Sequence, residues 1–147
     1  MLEENELSSS KYWYEMSDSP KAVENLYRGR PNLETVSVAS VTFSSCNSRL
    51  RLEINLPEFP AHPPTRWIAQ EANAIGAEID LFGISELEIF GLSSKNEGRC
   101  KVEPFPDPCR FRFQIAGEHF RISAMCQAFL IQRFLPLCVS TEMEEDC

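Results

Sequence analysis

The spacing of hydrophobic residues along this chain changes near residue 35, from the period of an α-helix to that of a β-strand. Before that point, Val23, Leu26 and Tyr27 stand three and four positions apart, which places them on one side of a helix. Ser19–Pro20 is typical of a helix start, and Gly29–Pro31 is typical of a helix end. The pattern predicts a helix of about two turns, which is stable only when its apolar side packs on a larger element.

Strict alternation predicts the first two strands. Val36 and Val38 alternate, and Val41 and Phe43 alternate with the opposite parity, which indicates a bulge or bend near Ala39–Ser40. The second strand has the clearest pattern, and its apolar side consists of Leu50, Leu52, Ile54 and Leu56. The intervening Cys46-Asn47-Ser48 is a plausible hairpin turn.

A loop and a further strand pair are predicted after residue 56. Four of the eight residues in Pro57–Pro64 are prolines, so this segment lacks the N–H donors that a sheet ladder needs. Apolar residues then alternate from Ile75 to Leu81 and again at Leu87 and Ile89. Because only Gly83–Ser85 separates the two runs, we predict an antiparallel hairpin with a three-residue loop.

The last third of the chain predicts a second hairpin and a final strand. Cys109–Ala116 alternates with Phe111, Phe113 and Ile115 facing inward, and Ala116-Gly117-Glu118 turns it into the strand His119–Ile122. The apolar segment Ala128–Leu135 lacks clean alternation, so strand and helix compete there, and we favour strand.

These elements together predict an α+β fold that is mainly β. We expect an antiparallel sheet of about seven or eight strands, arranged as a meander or sandwich, with one short N-terminal helix. A chain of 147 residues suits a single domain, here 1–147, and the polar ends at 1–11 and 140–147 are expected to be flexible.

Charge and composition exclude several classes of function. Subtracting 22 acidic from 14 basic side chains gives a net charge of −8, which disfavours nucleic acid as a partner. The sequence has no apolar stretch long enough to span a membrane and no signal peptide, so we expect a cytoplasmic protein without a membrane partner. The six cysteines form no CxxC pair, and we interpret them as reduced thiols. We expect no metal or cofactor, since His62 and His119 have no ligand-spaced cysteine beside them.

Four carboxylates form the main candidate constellation. If Ile79 lies opposite Ile89 in the predicted hairpin, Asp80 lies opposite Glu88, Phe82 lies opposite Glu86, and Glu78 follows one step along. We favour a charge ladder neutralised by arginines of adjoining strands, with Arg49, Arg51, Arg110, Arg112 and Arg121 as candidates. The alternative is an acidic docking face for a basic protein, in which Glu78, Asp80, Glu86 and Glu88 bind the partner.

The proline-rich loop is a second candidate surface. Phe59 and His62 could contact a partner from it, because prolines lower the entropy lost when a loop becomes ordered. The stronger interpretation is that Phe59 and Trp67 close one end of the core. We do not expect an enzyme, because the paired carboxylates stand in a regular hairpin and no GxSxG elbow or glycine-rich phosphate loop occurs.

The order of several motifs resembles the immunity protein 50 family. These motifs are Trp13, Asn25-Leu26-Tyr27, Pro31-x-Leu33, Leu52-x-Ile-x-Leu-Pro-x-Phe59, Pro63-Pro64-x-x-Trp67, Ile79-x-Leu-Phe-x-Ile84 and Leu87-x-Ile89-x-Gly91. The resemblance covers about residues 12–125, and each motif position is physically a core or loop-shaping residue. The insert Pro104-Phe105-Pro106-Asp107-Pro108 departs from the family pattern, and we expect it to break the following strand pair, which leaves the strand order after Gly98 open.

The resemblance implies a mostly β antidote of a bacterial polymorphic toxin system. Such a protein inhibits its cognate toxin by binding it and catalyses nothing. An acidic exterior is compatible with that role, because complementary charge speeds association with a basic partner. The alternative function is a small-molecule-binding β module, which would need an apolar cavity of roughly 300–1,000 Å³. The sequence leaves the oligomeric state open.

Overall fold

The computed structural model describes residues 12–18, 20–105 and 110–138 of the chain. Ser19, the predicted helix cap, and the predicted flexible ends lie outside these residues. A short 3-10 turn, Trp13–Met16, precedes two α-helices, α1 (Pro20–Tyr27) and α2 (Thr65–Ala69). The eight strands are β1 (Thr35–Ser44), β2 (Arg49–Asn55), β3 (Ala74–Phe82), β4 (Ser85–Phe90), β5 (Glu97–Phe105), β6 (Arg110–Ala116), β7 (Arg121–Cys126) and β8 (Ala128–Leu137).

All eight strands belong to one antiparallel sheet in the order β4-β7-β6-β5-β1-β2-β3-β8. The mainly β fold class with a short N-terminal helix is therefore confirmed. The sheet is strongly curled, because β3 leads into β4 and β7 leads into β8 with at most two residues between them. The pair β3–β8 thus continues into the pair β4–β7, and the same two stretches of chain form both ends of the sheet.

Several local predictions are confirmed. Helix α1 has the predicted bounds, the register of β1 shifts between Val38 and Ser40, and Leu50, Leu52 and Ile54 of β2 are buried. The hairpin of β6 and β7 also forms, and the segment after Gln127 is a strand.

The core lies on the inner face of the curled sheet. Three aromatic rings at its centre meet edge to face: those of Trp13 and Phe113 are 6.3 Å apart, and those of Phe113 and Phe129 are 5.2 Å apart. The 3-10 turn inserts Trp13 into this core, where its Nε1 donates a hydrogen bond to the Leu33 carbonyl at 2.9 Å. The segment before α1 is therefore part of the packed domain.

The predicted hairpin between β3 and β4 is wrong. Ile79 pairs with Leu52 and Ile131, whereas Ile89 pairs with Ile122, so the expected contact of Ile79 with Ile89 does not form. The chain bends at Gly83, where φ is +67°, and continues without reversing direction. Alternation correctly predicted that both segments are strands, but it carries no information on which strand each one pairs with. It did not predict β5 at all.

The predicted effect of the proline insert is also wrong, because the strand pair that follows it, β6 with β7, forms from Phe111 opposite Cys126 to Ala116 opposite Arg121. The strands on either side of the insert pair as well. β5 and β6 pair as far as Pro104 with Phe111 and Phe105 with Arg110. On its other side, β5 pairs with β1 only from Glu97 to Arg99. Pro104 therefore lies where β5 has a single neighbour, and a missing N–H is tolerated on such an edge. Residues 106–109 lie outside the described part. Within that part, no helix is both long and apolar enough to cross a bilayer.

Gly91 fixes the chain at the end of β4 against the turn between β6 and β7. Its φ is +79°, and a Cβ added there would stand 1.9 Å from the His119 carbonyl oxygen. We predict that Gly91→Ala lowers the free energy of unfolding by about 2 kcal/mol or more, because strain and a backbone clash add. Urea denaturation measures this. Gly29→Ala is the control, since nothing lies within 4 Å of a Cβ there. Equal effects of the two substitutions would contradict the prediction.

Candidate interaction surface

Asp80 is held inside the protein by Arg51 and Gln132. Its carboxylate is fully buried on β3 and accepts two hydrogen bonds from Arg51, Nε to Oδ1 at 2.7 Å and Nη2 to Oδ2 at 2.9 Å. Gln132 Nε2 donates a third hydrogen bond to Oδ2 at 2.8 Å. The hydrogen bonds from Arg51, and after them the one from Gln132, lower the pKa of Asp80 below its usual value against the opposing effect of burial.

Glu78 has cationic partners on both neighbouring strands. Arg133 of β8 donates from Nε to Oε1 at 3.1 Å, and Arg51 Nη1 lies 3.4 Å from Oε2. We call Arg51, Glu78, Asp80, Gln132 and Arg133 the buried ion cluster. Its two arginines offset its two carboxylates, as in the charge ladder that the sequence favoured.

Glu86 and Glu88 of β4 are in a different environment. Their side chains are 62% and 68% exposed, and their nearest cations are Arg112 at 3.9 Å and Arg121 at 3.7 Å. Both distances exceed the normal length of a hydrogen bond, and ion pairs of this kind contribute little stability. Because β4 does not pair with β3, the predicted register of the four carboxylates is wrong, and they divide into a buried pair and an exposed pair.

β4 also exposes large apolar side chains. Five of its six residues are exposed, among them Ile89 at 40% and Phe90 at 54%, and Leu92 just beyond the strand is 41% exposed. The guanidinium of Arg121 lies 5.2 Å from the centre of the Phe90 ring. The alternation of apolar residues did not identify Phe90 and Leu92 as surface residues. The adjacent pair Ile89–Phe90 breaks the alternation, so one of the two side chains had to lie on the outer face.

The proline-rich loop is anchored by its aromatic residues. Trp67 of α2 is buried, and its ring lies 6.3 Å from that of half-buried Phe59. The Tyr27 hydroxyl ties α1 to this loop by donating to the Glu58 carbonyl. His62 of the same loop is exposed. Trp67 and Phe59 therefore pack against each other, as the interpretation that they close one end of the core predicts.

Two surface depressions among the described residues are small. One of about 180 Å³ lies beside Lys101 and Arg112, and another of about 170 Å³ lies between Phe90 and the turn of β6 and β7. Both are below the roughly 300–1,000 Å³ of a typical ligand pocket. Among the same residues, no three His, Cys, Asp or Glu side chains stand close enough together to hold a metal ion.

The four cysteines in the described ranges are free thiols, as the sequence analysis expected. Cys46 and Cys138 are exposed, and Cys100 and Cys126 are buried. Burial raises the pKa of the Cys126 thiol to about 12 and raises that of Cys100 as well. The two buried thiols therefore remain protonated at neutral pH and act as small core residues.

Comparison with known proteins gives a single kind of match. The model of one protein family, described as Immunity protein 50, matches residues 19–136. A search of curated proteins and a search of solved structures each found no match. The matched range includes α1, α2 and seven complete strands, and it ends within β8.

The buried ion cluster makes stability dependent on pH in a defined direction. We predict that Asp80→Asn lowers the free energy of unfolding by about 1–3 kcal/mol at pH 7, less than a fully buried pair would, because Arg51 is 33% exposed. Since the pKa of Asp80 is lowered on folding, its contribution is present above the unfolded pKa, about 3.9, and is lost as pH falls through the folded pKa.

Urea denaturation from pH 7 to pH 2 measures this effect. The difference between wild type and Asp80→Asn should shrink below about pH 4. Glu118→Gln is the control, since the Glu118 side chain is 92% exposed. The free energy of unfolding of this variant should depend on pH as that of wild type does. A difference between wild type and Asp80→Asn that stays constant down to pH 2 would contradict the assigned ion pair.

Proposed function

Because the chain belongs to the Immunity protein 50 family, we propose that it neutralises a cognate bacterial toxin by binding it non-covalently in the cytoplasm of the cell that makes it. The family match over residues 19–136 carries this proposal. Immunity protein families are generally non-catalytic, so the proposed action is to cover or distort the toxin's own site.

The burial of the family motif supports a scaffold role for that motif. Leu52, Trp67 and Ile79 are among the motif residues, and each is buried in the core. These positions specify the curled sheet and leave the outer surface free to vary with the toxin. Recognition by a family member therefore depends mainly on exposed side chains outside the motif, although the motif residue Ile89 is itself 40% exposed.

The distribution of polar groups favours binding over catalysis. Asp80, whose pKa is lowered, is fully engaged by Arg51 and Gln132, and the buried thiols of Cys100 and Cys126 lie in the core. A catalytic group must instead reach a substrate in a cleft. The small surface depressions likewise give little support to the alternative of a small-molecule binder.

The net charge of −8 supports a basic protein as the partner. Toxins that act on nucleic acids or phosphates present basic clefts, and opposite charges raise association rate constants toward 10⁸–10⁹ M⁻¹s⁻¹. We therefore propose that the cognate toxin presents a basic surface to this protein.

Co-expression with the toxin domain encoded directly upstream tests the proposal. We expect that this domain alone stops growth of a bacterial host and that co-expression of the chain restores it. The two purified proteins should form a stable complex, for which a buried interface of about 1,200–2,000 Å² is typical. Absence of both growth rescue and complex formation, with the chain folded, would refute the proposed function.

A further inference from the structure

We propose that the toxin binds along the free edge of β4, where an extended, basic segment of the toxin pairs with the strand and contacts Glu86, Glu88, Ile89, Phe90 and Leu92. This inference rests on the proposed function, and it adds the docking surface and the chemistry of the segment that occupies it. We call these five residues, with the backbone of β4, the β4 edge.

The fold leaves one side of β4 without a partner strand. β4 pairs with β7 and is the first strand in the sheet order, so its second side faces no other strand of the described residues. The neighbour of β3 on that side is β2, which begins at Arg49 opposite Phe82. Ile84 N donates to the Ser48 carbonyl at 3.2 Å, and beyond this contact β4 extends past the end of β2.

A free strand edge offers unpaired backbone donors and acceptors to an incoming strand. Proteins usually protect such edges with prolines or cationic side chains. The other end strand, β8, carries Arg133 and Pro136, and the part of β5 without a second neighbour carries Lys101 and Pro104. β4, with the sequence Ser-Glu-Leu-Glu-Ile-Phe, has none of these residues. Its one irregularity is a register shift between Ser85 and Glu88, where Glu86 has a φ of +54°, so the regular part of the edge begins at Glu88.

The apolar side chains of the β4 edge are concentrated in a short stretch. Ile89, Phe90 and Leu92 are three of the six large hydrophobic residues that are exposed in the described part of the chain, and they lie within four consecutive positions. Isolated exposed hydrophobic residues are ordinary, whereas a group on an unpaired strand marks an interaction site. Main-chain pairing would supply affinity, and these exposed side chains would supply specificity.

The two carboxylates decide which occupant fits. If a second copy of this chain paired antiparallel through the same edge, the exposed carboxylates Glu86 and Glu88 of the two copies would lie close to one another. Like charges directly opposite one another destabilise a strand pair, so a second copy is disfavoured. A segment with Lys or Arg at these positions would instead neutralise both carboxylates, whose present cationic neighbours are 3.9 Å and 3.7 Å away.

Charge reversal tests the electrostatic part of the proposal. The variant Glu86→Lys/Glu88→Lys should associate with the upstream-encoded toxin domain at least about 10-fold more slowly than wild type at low ionic strength, and the difference should shrink in 0.5 M salt. Both side chains are exposed and weakly paired, so the variant should keep its melting temperature within a few degrees.

The matched control is Glu58→Lys/Glu97→Lys, which makes the same change in net charge at exposed positions outside the β4 edge. We expect its association rate constant to stay within about threefold of that of wild type. Loss of binding in this control with normal binding in Glu86→Lys/Glu88→Lys would overturn the proposal. Such a result would favour a surface such as the proline-rich loop, where Glu58 stands beside Phe59 and His62.

Hydrogen–deuterium exchange of the wild-type complex tests the strand pairing. Amides within 85–92 should exchange at least about 10-fold more slowly in the complex, because the incoming strand would hydrogen-bond to the free edge. Unchanged exchange there, in a complex that forms and restores growth, would overturn the β4 edge and leave the proposed function intact. If the wild-type protein neither binds the toxin domain nor restores growth, the proposed function itself fails. Self-association through β4, measured by sedimentation of the chain alone, would also overturn the choice of occupant.

Discussion

The position of β3 between β2 and β8 determines how the rest of this molecule is arranged. β3 is buried on both of its faces, so each polar side chain on it must find a partner within the protein. Asp80 and Glu78 find theirs in Arg51, which lies between them and bonds one carboxylate directly while approaching the other. These ion pairs allow β3 to carry two buried carboxylates among hydrophobic residues.

The same position explains why β4 is exposed. At Gly83 the chain bends, and the Gln127 amide donates to the Phe82 carbonyl at 2.8 Å, so the strand pair continues around the corner. β7 and β8 follow this bend together with β3 and β4. β2 does not, because it begins only at Arg49, after the turn at residues 45–48. One continuous stretch of chain is therefore fully buried before the corner and largely exposed after it. The curl that closes the core also creates the free edge.

Much of the local structure could be predicted from the sequence, because it depends on neighbouring residues. The spacing of Val23, Leu26 and Tyr27 and the change of parity at Ala39–Ser40 gave α1 and the bulge of β1 correctly. The pairing of β4 could not be predicted in the same way, since its partner β7 lies more than 30 residues further along the chain. Two runs separated by a glycine look alike whether the chain reverses or only bends.

The candidate site shows the same division between local and long-range information. The sequence identified Glu78, Asp80, Glu86 and Glu88 as one group, but their surroundings depend on strands that are distant in sequence. Arg133 and Gln132, which complete the buried ion cluster, come from β8, a strand whose alternation is interrupted by a register shift opposite Glu78 and Ile79. That shift brings two consecutive polar residues toward the carboxylates of β3. The periodicity of the sequence does not predict such a shift.

The separation of buried motif and exposed edge has a consequence for how such a protein can change its partner. Substitution of motif residues such as Leu52 or Trp67 would disturb packing in the core, because both side chains are buried and a close-packed interior has little space for a side chain of another shape. Substitution at Glu86, Glu88 or Phe90 would alter charge and contact area with little effect on the fold, because these side chains are exposed and weakly engaged. The free edge of β4 would still supply backbone hydrogen bonds whatever its side chains, so specificity could diverge while the mode of binding stayed the same.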